Sequence, residues 1–305
     1  MLTRKSKLLL LKTLSLFSVV RGYNIPVVVL AQYLSSIFIL SPEKRALDVI
    51  LDWRLFILVF ASTLTIASGY IINNFYDSEK DLINRPNKTM LDRLVSQKTK
   101  LQVYFVLNFL ATALALIISF RAALFFAVYI FLIWFYSHKL KKYPIVGNLT
   151  ASLLAVLPFF GILLYFKNFY HVIFAHAMFL FLLIFIREMI KDLENIKGDI
   201  ANNYQTIPVR FGEQISKRII TILTISTIIP VYILIEKYDV GYMDIYFYIS
   251  LIILILFLLR LWKSETQPEY VQLHVMLKIL IVAGVFCIVL INPSVLINGK
   301  ALLKL

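Results

Sequence analysis

Three oxygen-bearing side chains recur a helical turn apart in the stretch Asn73-Asn74-Phe75-Tyr76-Asp77-Ser78-Glu79-Lys80-Asp81. Asn73, Asp77 and Asp81 stand at i, i+4 and i+8, so a helix puts them on one face. Carboxylates stacked in this way repel each other unless a cation lies between them. A divalent ion held by carboxylate oxygens and shared with substrate phosphates is the usual magnesium arrangement. A second cluster runs from Arg187 to Asp199. Its Asp192, Asn195 and Asp199 fall at i, i+3 and i+7, again on one face, with Glu188 and Lys191 a turn earlier. Either cluster alone reads equally well as a solvated helix end with chance acids. Two of them weigh against that reading. Acids at a helix C-terminus oppose the helix dipole at ~0.3–1 kcal/mol each, where a purely structural design would place lysines.

The elements that must position these residues are apolar. The chain has 305 residues, 60% of them hydrophobic, which places it among polytopic membrane proteins. Its net charge of +14 does not indicate nucleic acid, because the basic residues lie between apolar stretches. Cys287, the only cysteine, lies inside such a stretch and reads as a buried structural residue. The expected fold is all-α, a single membrane domain over 1–305, with a basic segment over 1–15 lying on the membrane surface. Nine spans are expected: 16–40, 54–72, 101–120, 122–136, 146–166, 172–190, 219–235, 245–261 and 275–296. Pro158 and Gly161 are expected to kink the fifth. With a cytoplasmic N-terminus, most of the 31 Lys and Arg fall inside. Only Lys44, Arg45, Arg54, Arg121, Lys167, Lys237, Lys300 and Lys304 are then left outside, as the positive-inside rule requires. Both acidic clusters then face the cytoplasm, at the ends of the second and sixth spans.

A polar segment with proline and basic residues follows each cluster: Arg85-Pro86-Asn87-Lys88 and Thr206-Ile207-Pro208-Val209-Arg210. Each is long enough to form a short helix over a cavity between the acidic faces. Acids, magnesium and several cations together suit a diphosphate, with the metal bridging its oxygens as the group leaves. An isoprenoid diphosphate brings such a head to a membrane site, with a tail for an apolar channel. Aromatic side chains could stabilise an allylic cation there, although any single one reads first as ordinary packing or an interface anchor.

These residues resemble the UbiA-type intramembrane prenyltransferases. That family has nine transmembrane helices, an N-D-x-x-D-x-x-x-D motif and a second aspartate motif near the end of helix six. Asn73, Asp77 and Asp81 match the first motif and Asn74 departs from it; Asn84-Arg85-Pro86 resembles its following N-R-P. Helix six, with Arg187, Glu188, Lys191, Asp192, Glu194, Gly198 and Asp199 before Thr206 and Pro208, resembles the branch that makes digeranylgeranylglyceryl phosphate. Asn195 stands where that branch has aspartate. Tyr136-Ser137, Lys139 to Lys141 and Gly147-Asn148 resemble the loop between helices four and five, and Arg21 with Asn24 resembles the start of helix one.

The resemblance implies a magnesium-dependent enzyme that moves a prenyl group from an isoprenoid diphosphate to a lipophilic acceptor. It implies metal binding by Asp77, Asp81, Asp192 and Asp199, with Lys191 beside them in catalysis. Substrate contacts are implied for Arg21, Asn24, Asn73, Arg85, Tyr136, Lys141, Asn148, Arg187 and Asn195. Asparagine at 74 and 195 removes a charge and keeps a weaker oxygen ligand. The acceptor implied by helix six is geranylgeranylglyceryl phosphate, in ether-lipid biosynthesis. An aromatic quinone precursor such as 4-hydroxybenzoate or dihydroxynaphthoate is the alternative. The expected location is the cell (inner) membrane with the site facing the cytoplasm, and no protein partner is implied. A transporter is the rival from another class, but transporters concentrate ionisable residues near the midplane on broken helices.

Overall fold

The computed structural model describes residues 4–297. The first three residues of the expected surface segment, and Lys300 and Lys304 of the expected outer set, lie outside them. Every regular element among the described residues is helical. Eight helices there are long and apolar enough to cross a membrane.

The expected span over 16–40 is divided. Helix α1, Arg4–Val19, ends in a turn, and α2, the shorter apolar helix Ile25–Leu40, begins after it. Pro26 stands in the first turn of α2. Its ring would strike the carbonyl of Gly22 in a continuous helix, so the chain turns first, with Arg21 in the left-handed region at φ 49. Helix α3, Trp53–Asn84, is 32 residues long, and Asp52 caps it by accepting from the Arg54 and Leu55 amides. At 1.5 Å per residue α3 spans about 48 Å, more than a hydrocarbon core, so its motif-bearing turns project beyond the apolar stretch. Pro86 stops it: Arg85, at φ -144 and ψ 63, is pushed out of the helical region, as the residue before proline tends to be.

A short helix α4, Pro86–Asp92, leads into α5, Gln97–Ile118, and α6, Phe120–His138. Helix α7, Val146–Phe166, contains Pro158 within one continuous helix. Helix α8, His171–Glu194, carries the second cluster and is followed by two short helices, α9, Ile196–Ala201, and α10, Ile207–Phe211. Then come α11, Glu213–Lys237, α12, Met243–Lys263, and α13, Gln267–Cys287. Helix α11 loosens at Thr227, where Pro230 would strike the Ser226 carbonyl. A Thr266–Glu269 capping box starts α13, earlier than the expected 275.

Two groups of helices make the bundle. In one, α3, α5, α6 and α7 meet over Ala61, Ala111, Ala115 and Ala123, small residues that let backbones approach closely in lipid. In the other, α8 packs against α2, α7, α11, α12 and α13. Amides and hydroxyls tie α2 to α3 through Gln32–Ser62 and α3 to α5 through Ser68–Asn108.

A buried polar knot holds α1 and α4 to this frame. Asn74 accepts from Lys100 Nζ at 2.8 Å and donates to Asp92 at 2.9 Å. Asp92 also accepts from Ser18 and Lys88. Lys100, Asp92 and Asn74 are all buried. Replacing Asp92 by Asn removes the carboxylate that Lys88 contacts and that the Asn74 amide bridges to buried Lys100, and is expected to cost about 1–3 kcal/mol. Asn74→Asp added to Asp92→Asn exchanges acid and amide and is expected to recover most of that loss. Thermal midpoints of the single and double variants in detergent check this.

Candidate active site

The ends of α3 and α8 come together through side chains of the first polar segment. Asn84 accepts from the Gly198 amide at 3.1 Å and donates to the Asn195 carbonyl at 3.5 Å. Arg85 Nη2 lies 2.5 Å from Glu194 Oε1, and the other oxygen of Glu194 meets His274 Nδ1 of α13 at 2.8 Å. A Cβ on Gly198 would overlap the Asn84 amide, so glycine there is what permits the close approach.

Between these ends lies a polar cavity. Arg21, Asn73, Asp77, Asp81, Arg85, Tyr136, Lys141, Asn148, Lys191, Asp192 and Asn195 line it, all of them expected from the sequence. Asn24, Arg187 and Asp199 do not. Asn24 stands at the start of α2 without a side-chain cap bond. Arg187 makes a long 3.4 Å contact with Glu188. Asp199 is fully buried behind the wall, 2.7 Å from Lys80 Nζ, and accepts from Thr206 Oγ1 at 3.2 Å. Its burial raises the carboxyl pKa, and the Lys80 charge and both of these contacts oppose that rise.

Each carboxylate has a different partner set. Asp77 Oδ1 accepts from Lys141 Nζ at 2.7 Å and from the Tyr204 hydroxyl at 3.1 Å. Lys141 also reaches Asn73 Oδ1 at 3.4 Å. Asp192 Oδ2 accepts from Asn148 Nδ2 at 2.7 Å. The Asp81 carboxylate lines the cavity with no hydrogen-bond or ion-pair partner among the described residues. Glu188 Oε2 takes Lys191 at 2.6 Å. Asn195 turns its Nδ2 to the Lys191 carbonyl at 2.7 Å, which leaves Oδ1 as its only side-chain acceptor. Asn74 points away, into the knot with Lys100 and Asp92.

Residues without an assigned role in the sequence also belong here. Lys80, Glu188, Thr206 and Gly147 line the cavity. The spacing contained the signal for Lys80, since i+3 from Asp77 lies on the acidic face. Tyr204 left no such signal. Its ring sits beneath Lys80 Nζ at 4.6 Å and Lys142 Nζ at 5.4 Å, in cation–π contact. Burial, reinforced by Asp77, raises its pKa, so the phenol stays a donor to Asp77. Gly147 packs a tight turn: a Cβ there would lie 3.1 Å from the Lys141 carbonyl oxygen.

The donor set is one of hard oxygens. Among the described residues no three acids or histidines come together as a ready metal cage. Magnesium does not need one, because it binds through one or two carboxylates and takes its other ligands from phosphate and water. Asp81 and Asp192 fit that use. A second, apolar cavity lies further along the bundle, bordered by Ala31, Phe160, Leu180, Phe247 and Gly284. Leu180 is about 18 Å from Asp192 along α8 by the helical rise.

Residues 29–279 match the UbiA prenyltransferase family. Among curated relatives, digeranylgeranylglyceryl phosphate synthase of Sulfurisphaera tokodaii is 25% identical over 250 residues, 80% of this chain and 87% of the relative. The synthase of the same name from Thermococcus gammatolerans is 30% identical over 200 residues, 65% of this chain and 72% of the relative. A structure solved for digeranylgeranylglyceryl phosphate synthase in membranes superposes with a TM-score of 0.68 at 21% identity, over 91% of this chain and 97% of that one. A UbiA homolog from Archaeoglobus fulgidus, bound to GPP and Mg2+, superposes with a TM-score of 0.67 at 14% identity, over 90% of this chain and 99% of that one. At these identities the two structures establish the fold.

The junction of α3 and α8 yields a test. Gly198→Ala is expected to destabilise the protein by about 1–3 kcal/mol through overpacking against Asn84. In an Asn84→Ala background the same change should cost almost nothing, since the clashing amide is gone. A double-mutant cycle of thermal midpoints measures this coupling. Additive effects would separate Gly198 from Asn84.

Proposed function

The chain belongs to the UbiA prenyltransferase family, and on that premise we propose that it transfers a prenyl group from an isoprenoid diphosphate to a glyceryl phosphate lipid, in a magnesium-dependent reaction. One observation carries the reading: acidic motifs from α3 and α8 meet across a single cavity walled by Arg21, Lys80, Arg85, Lys141 and Lys191. The acceptor follows from the relatives named digeranylgeranylglyceryl phosphate synthase and from the likeness in helix six.

Asp81 and Asp192 would hold magnesium, with Asp77 beside them and the carbonyl oxygens of Asn73 and Asn195 as weaker donors. Asp199 acts from behind the wall by holding Lys80. Bound magnesium supplies charge neutralisation on the diphosphate oxygens. The lysines and arginines of the wall then hold the departing group. The bond between the prenyl carbon and the diphosphate oxygen breaks, and its electron pair leaves with the diphosphate. The acceptor hydroxyl oxygen forms the new ether bond and gives up its proton. The apolar cavity suits the prenyl chain, since it follows the same helix away from Asp192. The excess of Lys and Arg at the motif-bearing end supports a cytoplasm-facing site in the cell membrane.

Purified protein in nanodiscs, given geranylgeranyl diphosphate and geranylgeranylglyceryl phosphate, should form the diether product only with magnesium. Asp77→Ala is expected to lower the rate at least ~100-fold, about 2.7 kcal/mol of barrier. Asn195→Asp is expected to reduce the magnesium concentration giving half-maximal rate, because it restores a charged ligand. Prenylation of an aromatic acid with no diether product would replace the lipid acceptor. Magnesium-independent product would overturn the metal assignment.

A further inference from the structure

Lys278 lies within α13, about 16 Å from its start by the helical rise. Among the described residues it has no carboxylate partner, and its contact is the ring of Tyr23 at 5.0 Å. An ionisable side chain inside a span, without a counter-charge, is costly to keep and marks a functional position. The His274–Glu194 contact sets its level. Helix α8 ends where α13 begins, so the two run antiparallel. One turn beyond His274, about 6 Å, Lys278 is level with Ile190, between Arg187 and Asp192.

Arg187 is similarly short of partners. Its Nε is buried without a hydrogen bond among the described residues. Its Nη1 meets only the Glu188 oxygen at 3.4 Å, while Lys191 holds the other oxygen of Glu188 at 2.6 Å. Glu194, the other acid on this side of α8, is already shared by Arg85 and His274. The seam of α8 and α13 therefore carries cations that the local acids do not match. Tyr23, largely exposed, stands at its edge in the turn that also sends Arg21 into the polar cavity.

We propose that Lys278 and Arg187 form an anion subsite at the α8–α13 seam that receives the phosphomonoester of the acceptor lipid. This rests on the lipid-phosphate reading of the acceptor and adds where its head group is held. A monoester offers two charges and three acceptor oxygens, which suit a planar guanidinium fork with an ammonium point charge. No metal is needed there, in contrast to the carboxylate wall.

The test measures lipid bound to purified protein in detergent, by mass spectrometry, for the wild type and for Lys278→Met, Lys278→Arg, Arg187→Met and Tyr23→Leu. The probes are a single-chain glycerolipid phosphomonoester, the same lipid without phosphate, inorganic phosphate, and geranylgeranyl diphosphate with magnesium. The wild type should prefer the phosphorylated lipid by about tenfold or more, the scale of one charge-assisted bond. Lys278→Met and Arg187→Met should remove most of that preference and leave diphosphate binding unchanged. Lys278→Arg should retain it, and Tyr23→Leu should weaken it only modestly. Competition by inorganic phosphate at the lipid's own concentration would replace the lipid monoester with a free-phosphate site. Absence of preference in the wild type, preference surviving both Met variants, or equal loss of lipid and diphosphate binding would each overturn the subsite. Preference for the phosphorylated lipid without its prenylation would leave the subsite standing and remove the acceptor reading.

Discussion

The motif-bearing end of this bundle depends on burying carboxylates and cations together. Asp77 and Lys141 are both buried, 2.7 Å apart, and removing either partner would leave the other as a charge in a poorly solvated wall. The same matching recurs between Lys80 and Asp199 and between Arg85 and Glu194. In each case the partners come from different elements. Apolar faces cannot do this fastening alone, because lipid tails satisfy them as well as a neighbouring helix does. Charge pairing therefore selects which helix ends meet, and the packing of small residues sets how closely.

Much of this was legible in residue types. Apolar run length located the long helices, and turn spacing put Asn73, Asp77 and Asp81 on a common face that does line the cavity. What escaped depended on contacts between distant segments. Pro26 marked the break in the expected first span, but an apolar count over 16–40 does not register a missing amide or a clash one turn back. Asp199 shares a helical face with Asp192 in a continuous helix. The chain instead turns at Asn195, and Asp199 faces Lys80 inside the wall. Tyr204 sits in a loop whose position follows from the bond between the Gln205 amide and the Lys142 carbonyl, a pairing with no periodic trace.

The two asparagines that stand for expected aspartates have different physical meanings. Asn74 is placed between a donor and an acceptor, Lys100 and Asp92, and only an amide satisfies both at once. An aspartate in its place would face Asp92 with like charge. The negative charge in this knot comes from Asp92 instead, so this asparagine takes nothing from the cavity. Asn195 does line the cavity. Its donor side is used within its own helix end, so its carbonyl is what a ligand would meet. That weaker oxygen sits beside Asp192 and lowers the negative charge of the second motif only.

The distribution of charge also bears on how two anionic substrates could share one end of a bundle. Carboxylates repel a bare phosphate but accept one that brings a divalent metal, so in the proposed reaction Asp81 and Asp192 would discriminate for a metal-bound diphosphate. A seam carrying Lys278 and Arg187 has the opposite bias, since it repels the metal and attracts the bare anion. Each wall thus rejects the other's ligand by charge as well as attracting its own, which is how specificity is gained against a close competitor. The arrangement needs α8 to present acids on one side and cations on the other within two turns. Glu188 and Asp192 take the cavity side and Arg187 the seam side by their spacing, Lys191 also reaches the cavity, and Glu194 turns to the seam, where His274 from α13 fixes the register in which α8 meets its neighbour.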